Sequence, residues 1–226
     1  MRLDDREIHV WRVNLDDDGL CESLLSAEER RKASRFHFEQ NRRAYRVTHS
    51  ALRSILGCYL GRPATAICIK TNPYGKPILP ATRRVEFNLS HSGAVTLIAL
   101  SQQPVGIDLE RIDTTLDWQS LANVCCQPWE KVYIAQGGAA GAIRRFYEIW
   151  TRKEAYLKAL GLGLTLPPES VDVRPYGTPI RQIGSGDYAP LLHVHPGPAI
   201  PGYVTAVGTP LQAPDWRLQC FPRDVS

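Results

Sequence analysis

Two carboxylates close together in the chain have the residue types and spacing needed to hold a divalent cation. Asp108 and Glu110 lie two residues apart in the segment GIDLE, residues 106–110. If this segment is a strand, both side chains point to the same face, with their Cα atoms roughly 7 Å apart. Hard cations such as Mg²⁺ take oxygen ligands of this kind. The competing interpretation is an amphipathic strand with a solvated acidic face, and the short motif alone favours that alternative.

A second candidate lies on a predicted helix about 40 residues further along. Trp150, Glu154 and Lys158 recur every four residues, so they share one helix face. The competing interpretation is an ordinary ion pair between Glu154 and Lys158 on the surface. Such a pair would contribute only roughly tenths of a kcal/mol to stability. A tryptophan on the same face prefers burial, which favours the wall of a cleft over open surface.

The segment SHS, residues 90–92, offers donors for an anion, because Ser90 carries a hydroxyl and His91 an imidazole. We expect it to be a turn after a strand. A hydrolase is disfavoured, because adjacent Ser and His rarely form a nucleophile–base pair and the Gly-x-Ser-x-Gly elbow is absent. A further turn presents Lys76 and Pro77, but the phosphate-binding pattern GxxxxGK[ST] is missing.

Basic residues recur along the two helices predicted first in the chain. They either form a solvated helical face or bind phosphate or an acidic partner. The series comprises Arg30, Arg31, Lys32, Arg35, Arg42, Arg43 and Arg46.

These residues depend on helices and strands that the sequence pattern predicts. Ser26 and Glu29 form a capping-box signature for a helix to about residue 38, and further helices are predicted at 41–59 and 142–160. Short helical pieces at 117–136 are broken at Pro128, and the Gly/Ala stretch 137–141 is predicted to be a loop. Strands are predicted at 7–15, 67–71, 85–89, 95–100, 105–110, 171–174, 191–195, 203–207 and 216–221. Helices followed by strands, twice, predict two α+β halves.

Composition narrows the class of protein. The 226 residues carry a net charge of +4 and 43% hydrophobic residues, which is typical of a globular protein with an anionic ligand or an acidic partner. Nucleic acid is disfavoured, because its partners usually have a more concentrated basic face. We expect no secretory signal and no membrane span. The six cysteines lack CxxC spacing, which favours free thiols in a reducing cytoplasm over zinc ligands or disulfides.

Taken together, these segments resemble the 4′-phosphopantetheinyl transferases of the surfactin-synthetase-activating (Sfp-like) type. The resemblance covers roughly residues 25–166 and is most specific in the pairing of GIDLE with the later WxxKE segment. The matching segments are 26–32 (SAEERRK), 74–77 (YGKP), 87–92 (FNLSHS), 105–110 (VGIDLE) and 150–158 (WTRKEAYLK).

The resemblance implies a transfer of the phosphopantetheine arm of coenzyme A to a serine of an apo acyl or peptidyl carrier protein, with release of adenosine 3′,5′-bisphosphate. It implies Mg²⁺ ligated by Asp108, Glu110 and Glu154, with Glu154 also the candidate base and Lys158 a catalytic cation that holds phosphate. It implies coenzyme A contacts from Lys32, Lys76, Pro77, Ser90 and His91, with His91 at the 3′-phosphate.

Two positions depart from the family pattern. Members usually have a basic residue where Glu29 stands, and an arginine where Ala44 stands. Arg43 and Arg46 are neighbouring candidates to replace that arginine. Both departures concern residues expected near the 3′-phosphate of coenzyme A.

The implied fold is an α+β pseudo-dimer of two similar halves, residues 1–103 and 104–226, with the active site between them and the metal site in the second half. Expected partners are coenzyme A and acidic carrier protein domains, and the enzyme is expected to be a cytoplasmic monomer. Two other hypotheses stay open at this point: a phosphohydrolase or nucleotidyl enzyme with the same metal site, and a non-catalytic binder of coenzyme A or carrier protein.

Overall fold

The computed structural model describes residues 1–16, 22–80, 82, 84–173, 179–180 and 191–221. It is a mixed α+β structure with several sheets. The helices are α1 (Ala27–Ser34), α2 (Glu39–Leu60), α3 (Trp118–Cys125), α4 (Pro128–Ala135) and α5 (Gly138–Leu160). The strands are β1 (Glu7–Asn14), β2 (Lys70–Thr71), β3 (Pro77–Ile78), β4 (Glu86–Ser92), β5 (Val95–Ser101), β6 (Gly106–Arg111), β7 (Pro179–Ile180), β8 (Leu192–Pro196), β9 (Tyr203–Thr209) and β10 (Asp215–Phe221).

Two four-stranded sheets dominate the structure. The first has the strand order β10-β1-β5-β4 and the second β6-β9-β8-β7, while β2 and β3 form a separate hairpin. Pairing is antiparallel except between β1 and β10, which run parallel. The strand near the end of the chain therefore completes the sheet that the first strand begins.

Each sheet has a long helix packed on one face. On the first sheet, Leu52 and Leu56 of α2 pack with Trp11 and Phe87. On the second sheet, α5 packs through a cluster of buried residues that includes Phe146, Ala155, Tyr156, Val194, Val204 and Ala206. Burying one such aliphatic or aromatic side chain contributes about 1.5–3 kcal/mol, so the helix faces fix α2 and α5 on their sheets.

A third apolar cluster lies between the two sheets. It joins Ile8 and Val10 of β1 to Ile107 and Leu109 of β6. Side chains alternate along β1, so Trp11 and Val13 contact the α2 side while Ile8 and Val10 face the second sheet. Both faces of this strand are therefore covered.

Several element boundaries differ from the sequence-based predictions. The stretch 137–141 is not a loop, because α5 begins at Gly138 and three alanines in its first turns offset the helix cost of glycine. The strand predicted at 67–71 is reduced to Lys70–Thr71. The segment predicted at 171–174 shows only an isolated bridge at Val171, and residue 174 lies outside the described residues. The break at Pro128 is confirmed, since this proline occupies the first turn of α4.

The segment SHS is also not a turn. Ser90, His91 and Ser92 belong to β4, and the chain reverses only at the next residues, where Gly93 has a φ of 55°. No helix among the described residues is long and apolar enough to cross a membrane.

Candidate active site

The alternation of β4 separates two sets of polar groups. Asn88, Ser90 and Ser92 point to one side, toward β6, whereas Leu89 and His91 line a cavity on the other side. Asn88 Oδ1 accepts a hydrogen bond from the Ile107 backbone N–H at 2.9 Å, so a side chain ties the two strands together. The strand assignment therefore explains how Ser90 and Ser92 meet the carboxylates of β6 while Asn88 binds its backbone.

Asp108 is the most buried of the site carboxylates. Its side chain is 3% exposed, and Oδ1 accepts hydrogen bonds from Ser90 Oγ at 2.8 Å and from Lys158 Nζ at 2.6 Å. Burial raises the pKa of Asp108, against the lowering by the charge and hydrogen bond of Lys158. Its second oxygen, Oδ2, is buried and has no hydrogen-bond partner among the described residues. Such an orphaned carboxylate oxygen is costly unless a ligand completes it.

Glycine residues allow α5 to bring Lys158 to this carboxylate. A Cβ atom built on Gly106 would lie 2.2 Å from the Ala155 carbonyl oxygen, and one on Gly208 would lie 2.7 Å from it. These two glycines are register partners on β6 and β9, so together they form a smooth patch beneath the helix. Close approach of backbone to backbone is what glycine permits. The glycine of the segment GIDLE thus positions the cation opposite Asp108.

Glu110 and Glu154 are the other two carboxylates of the candidate site. Glu110 Oε2 accepts a hydrogen bond from Ser92 Oγ at 3.0 Å, and its carboxylate also bonds Trp150. Burial and then the charge of Asp108 raise the pKa of Glu110. The same two causes raise the pKa of Glu154, with Lys158 opposing and Glu110 adding to the rise. The three predicted ligands therefore repel one another electrostatically, which a bound cation would relieve.

The donor set fits a magnesium ion that is shared with a substrate. Among the described residues, no group of three or more His, Cys, Asp or Glu side chains is arranged to hold a metal ion by itself. Mg²⁺ usually takes only one or two protein carboxylates and completes its octahedron with phosphate oxygens and water. The orphaned Asp108 Oδ2 and the mutual repulsion of the carboxylates are consistent with that mode.

Two adjoining cavities open beside the carboxylates. The smaller, of about 300 Å³, is lined by Glu154 and Lys158 together with the 74–77 turn. The larger, of about 830 Å³, is lined by α1, α2 and β4, including Lys32 and His91. Gly75, Pro77 and Leu89 line both. An extended ligand can therefore reach from the basic cavity to the carboxylates.

Comparison with known proteins identifies the family. Residues 10–103 match the family model described as 4′-phosphopantetheinyl transferase, N-terminal, and residues 104–207 match that of the 4′-phosphopantetheinyl transferase superfamily. The 4′-phosphopantetheinyl transferase HetI of Nostoc sp. is 38% identical over 166 residues, which cover 70% of each protein. The chain belongs to the 4′-phosphopantetheinyl transferase family.

Two further members agree with this assignment. A 4′-phosphopantetheinyl transferase of Bacillus subtilis is 31% identical over 67% of each protein. The 4′-phosphopantetheinyl transferase Sfp of Bacillus subtilis strain 168 is 28% identical over 204 residues, covering 90% of this chain and 87% of Sfp. The resemblance to Sfp-like transferases that the motifs predicted is thereby confirmed.

In this transferase, the structure gives Lys76 contacts that sequence reasoning did not predict. Its ammonium donates to the carbonyl oxygens of Val105 at 3.2 Å and Ala159 at 3.1 Å. Asn72 Nδ2 donates to the Gly161 carbonyl oxygen at 2.7 Å, so the 72–77 turn caps the end of α5. Burial lowers the pKa of Lys76. Lys76 therefore holds the helix that carries Glu154 and Lys158, and the 74–77 turn forms the floor of the smaller cavity.

The structure shows where Ala44 and its two neighbouring arginines lie relative to the larger cavity. Ala44 lines the larger cavity. Arg43 donates to the Asp16 carbonyl oxygen, and Arg46 binds Glu39 and Glu22; neither arginine lines the cavity. The two candidates to replace the missing arginine are therefore directed elsewhere.

Sequence reasoning missed several residues that build the site. Asn88, Ser92 and Gly106 lay inside recognised motifs but had no assigned role. The packing of β4 against β6 gives Asn88 and Ser92 their roles, and the approach of α5 gives Gly106 its role. The ammonium of Lys153 lies 2.9 Å from the Glu130 carboxylate, and both side chains are 0% exposed. His49 lines the larger cavity, and no role was assigned to it from the sequence. No local signal in the sequence separates such a residue from the core.

Proposed function

We propose that this transferase moves the 4′-phosphopantetheine arm of coenzyme A to a serine of an apo acyl or peptidyl carrier protein, releasing adenosine 3′,5′-bisphosphate. The observation that carries the proposal is the joint contact of Lys158 with Asp108 and Ser90, beside Glu110 and Glu154, next to two adjoining cavities. Membership of the family supports the reaction class.

Asp108, Glu110 and Glu154 are the proposed ligands of Mg²⁺. When bound with the coenzyme A diphosphate, the ion would neutralise charge and polarise the phosphorus that is attacked. The orphaned Asp108 Oδ2 supports the ligand assignment. The contribution of the protein is to fix the three carboxylates on one strand face and one helix face before substrate arrives.

Glu154 is the proposed acceptor of the serine proton, directly or through a water. Burial and Asp108 raise its pKa, which moves the carboxylate toward the basicity useful near neutral pH. Lys158 donates hydrogen bonds to Ser90 Oγ at 3.0 Å and to Asp108, so its ammonium is oriented toward the cleft before the reaction. A preoriented cation stabilises the charge that develops on the departing phosphate.

The larger cavity is the proposed site of the adenosine part of coenzyme A. Lys32 and His91 line it, and Pro77 forms the wall that it shares with the smaller cavity. Desolvation, followed by the charges of Lys158 and His49, lowers the pKa of His91. Ser90 would meet the diphosphate from the Lys158 side, and Lys76 would contribute through its stem.

The arrangement as two similar halves, 1–103 and 104–226, with the site between them, is part of the proposal. It is supported by the two helices α2 and α5, which are 22 and 23 residues long and each cover one sheet. The strand β10 of the second half joins the sheet of the first half, beside β1. A monomer, an acidic carrier and a cytoplasmic location complete the proposal, supported by the net charge of +4 and by the free cysteines among the described residues.

The test is a carrier panel assayed by intact-protein mass spectrometry. Apo carriers from fatty acid, polyketide and non-ribosomal peptide synthesis are incubated with the enzyme, coenzyme A and Mg²⁺. A mass gain of one phosphopantetheine is expected, and a carrier with its acceptor serine changed to alanine is the control. Turnover of coenzyme A without carrier, or no gain on any carrier, would contradict the proposal. Asp108→Ala should abolish the gain while circular dichroism shows a retained fold.

A further inference from the structure

The larger cavity contains a second imidazole that the family pattern does not assign. His49 of α2 lines the cavity together with His91 of β4, and the charge of His49 is felt at His91. Its ring stacks on Tyr45, with ring centroids 4.0 Å apart and an interplanar angle of 26°. His49 is thus held in a defined orientation on the wall of the cavity proposed for the adenosine part of coenzyme A.

Glu29 fixes one edge of the His49 ring. His49 Nδ1 lies 3.3 Å from Glu29 Oε1, while Arg53 Nε donates to Glu29 Oε2 at 2.6 Å. The backbone N–H of Ser26 also donates to Glu29 at 2.7 Å, which completes the capping box of α1. Glu29 is therefore neutralised by its neighbours and does not present a free negative charge to the cavity, although it replaces a basic residue of the family.

The other edge of the ring is available to a ligand. Within the part of the chain that the structure describes, Nε2 of His49 makes no hydrogen bond, and Nδ1 faces the Glu29 carboxylate. When both ring nitrogens carry a proton, one N–H donates to Glu29 and the other can donate to an anion. A bound anion would therefore lie on the edge of the His49 ring opposite the Glu29 carboxylate.

The cavity needs such a donor because Ala44 supplies none. Arg43 and Arg46 are bound elsewhere, as described above, and the cationic or imidazole groups that line the cavity are Lys32, Lys70, His49 and His91. Lys32 Nζ lies 5.5 Å from the Tyr45 ring centroid, which places it on the same side of the cavity as His49.

We propose that His49, oriented by Glu29, is a ligand of the 3′-phosphate of coenzyme A and replaces the missing arginine in distinguishing coenzyme A from dephospho-coenzyme A. The proposal rests on the proposed function. It assigns a specificity role to a histidine of α2 that acts together with Lys32 and His91. Glu29, which breaks the family pattern, is then the positioning residue for that histidine.

The experiment measures dissociation constants for coenzyme A and dephospho-coenzyme A by calorimetry, with full-length enzyme and Mg²⁺. We expect wild type to prefer coenzyme A, and His49→Ala to reduce this preference about tenfold or more, because hydrogen bonds to charged groups have that effect. Affinity for dephospho-coenzyme A should change little. His37→Ala, at an exposed position outside the cavity, is the matched control.

Three results would overturn the proposal: no preference for coenzyme A in the wild type, an unchanged preference in His49→Ala, or an equal loss for both ligands. If His49→Ala does not fold, His49→Gln is measured with the same criteria, because it keeps a polar side chain of similar size and removes the imidazole. Binding is measured without a carrier protein, so a failure of phosphopantetheine transfer would refute the proposed function and leave the result on His49 standing.

Discussion

Two lysines of α5, five residues apart, form ion pairs of opposite character. Lys153 and Glu130 are both fully buried, and every polar edge is occupied: Lys153 also donates to the carbonyl oxygens of Pro168 and Val171, and Glu130 accepts from the backbone N–H of Gln127 and Val173. Lys158 is 28% exposed, and its partner Asp108 keeps one buried oxygen without a hydrogen bond. The completed pair joins α4, α5 and the 168–173 segment. The incomplete pair leaves room for a substrate.

This difference indicates which ion pair stabilises the fold and which takes part in the reaction. A completed buried pair has no donor or acceptor to offer, so its removal should affect folding. An incomplete pair already costs free energy in the absence of ligand, and such costs are tolerated where function needs them. Substitutions at the two lysines should therefore separate activity from stability.

The largest expected effect is on activity at Lys158. Lys158→Met keeps the length of the side chain and removes the ammonium, so the rate of phosphopantetheine transfer should fall by about 10²–10³. The melting temperature should fall less than in the corresponding Lys153 variant, because Ser90 still donates to Asp108 and the Lys158 side chain is partly exposed. Rates are measured by mass spectrometry and normalised to folded protein. Retention of more than about a tenth of the wild-type rate would remove Lys158 from the catalytic set.

Lys153 should show the opposite result. Lys153→Met leaves Glu130 buried without its cation, so the free energy of unfolding should drop by about 3–5 kcal/mol. The double variant Lys153→Met with Glu130→Leu should recover much of that loss, because both charges are gone. Urea titration followed by fluorescence measures both variants. If the double variant is no more stable than the single one, the pair does not act as a closed unit.

Much of the fold could be predicted from local patterns. The capping box at Ser26, the long helix ending near Leu60 and the carboxylate strand followed from periodicity and from residues with strong local preferences. The parallel pairing of β10 with β1 could not be predicted, because it joins residues about 200 positions apart and depends on tertiary packing. Ser90, His91 and Ser92 were misassigned to a turn, since a strand with polar residues on both faces lacks the usual alternation.

In the candidate site too, local spacing could be predicted from the sequence, whereas contacts between distant elements could not. The shared face of Glu154 and Lys158 was predicted from helical spacing, and both line the smaller cavity. The contact between Ser90 and Asp108 was not predicted, because it joins strands of different sheets. The role of Gly106 depends on the distance to α5, which no sequence spacing contains. Family resemblance supplied candidate roles for these motifs but gave none for His49.

The ion pair of Glu29 with Arg53 is intermediate between the two lysine pairs. It is nearly buried, and Glu29 also lines the larger cavity. Burial alone would raise its pKa, but hydrogen bonds from His49, Arg53 and Ser26 lower the pKa of Glu29 from 4.5 to about 2. A lowered pKa stabilises the fold above the unfolded value of 4.5, and this contribution is lost as the pH falls toward 2. Glu29→Gln should therefore cost roughly 2 kcal/mol at neutral pH. The two proteins should converge in stability between pH 4.5 and 2, and a constant difference would contradict the pKa shift.

The smallest expected effect is a gain in stability at the incomplete site. Burial and Asp108 raise the pKa of Glu154, so its contribution to stability is present below the unfolded value of 4.5 and is lost as the pH rises through the folded pKa. Glu154→Gln should stabilise the metal-free protein at neutral pH by about 0.5–1 kcal/mol while abolishing efficient transfer. The gain should vanish at acidic pH.

Melting temperatures with and without Mg²⁺ test whether the gain in stability of Glu154→Gln arises from carboxylates that bind a cation. Because an ion that binds only the folded state stabilises it, Mg²⁺ should raise the melting temperature of wild type more than that of Glu154→Gln. Removal of Mg²⁺ with EDTA should restore the original order of the two proteins. Equal responses to Mg²⁺ would mean that the repulsion at Glu154 is unrelated to metal binding, and the carboxylate would keep only its proposed role as base.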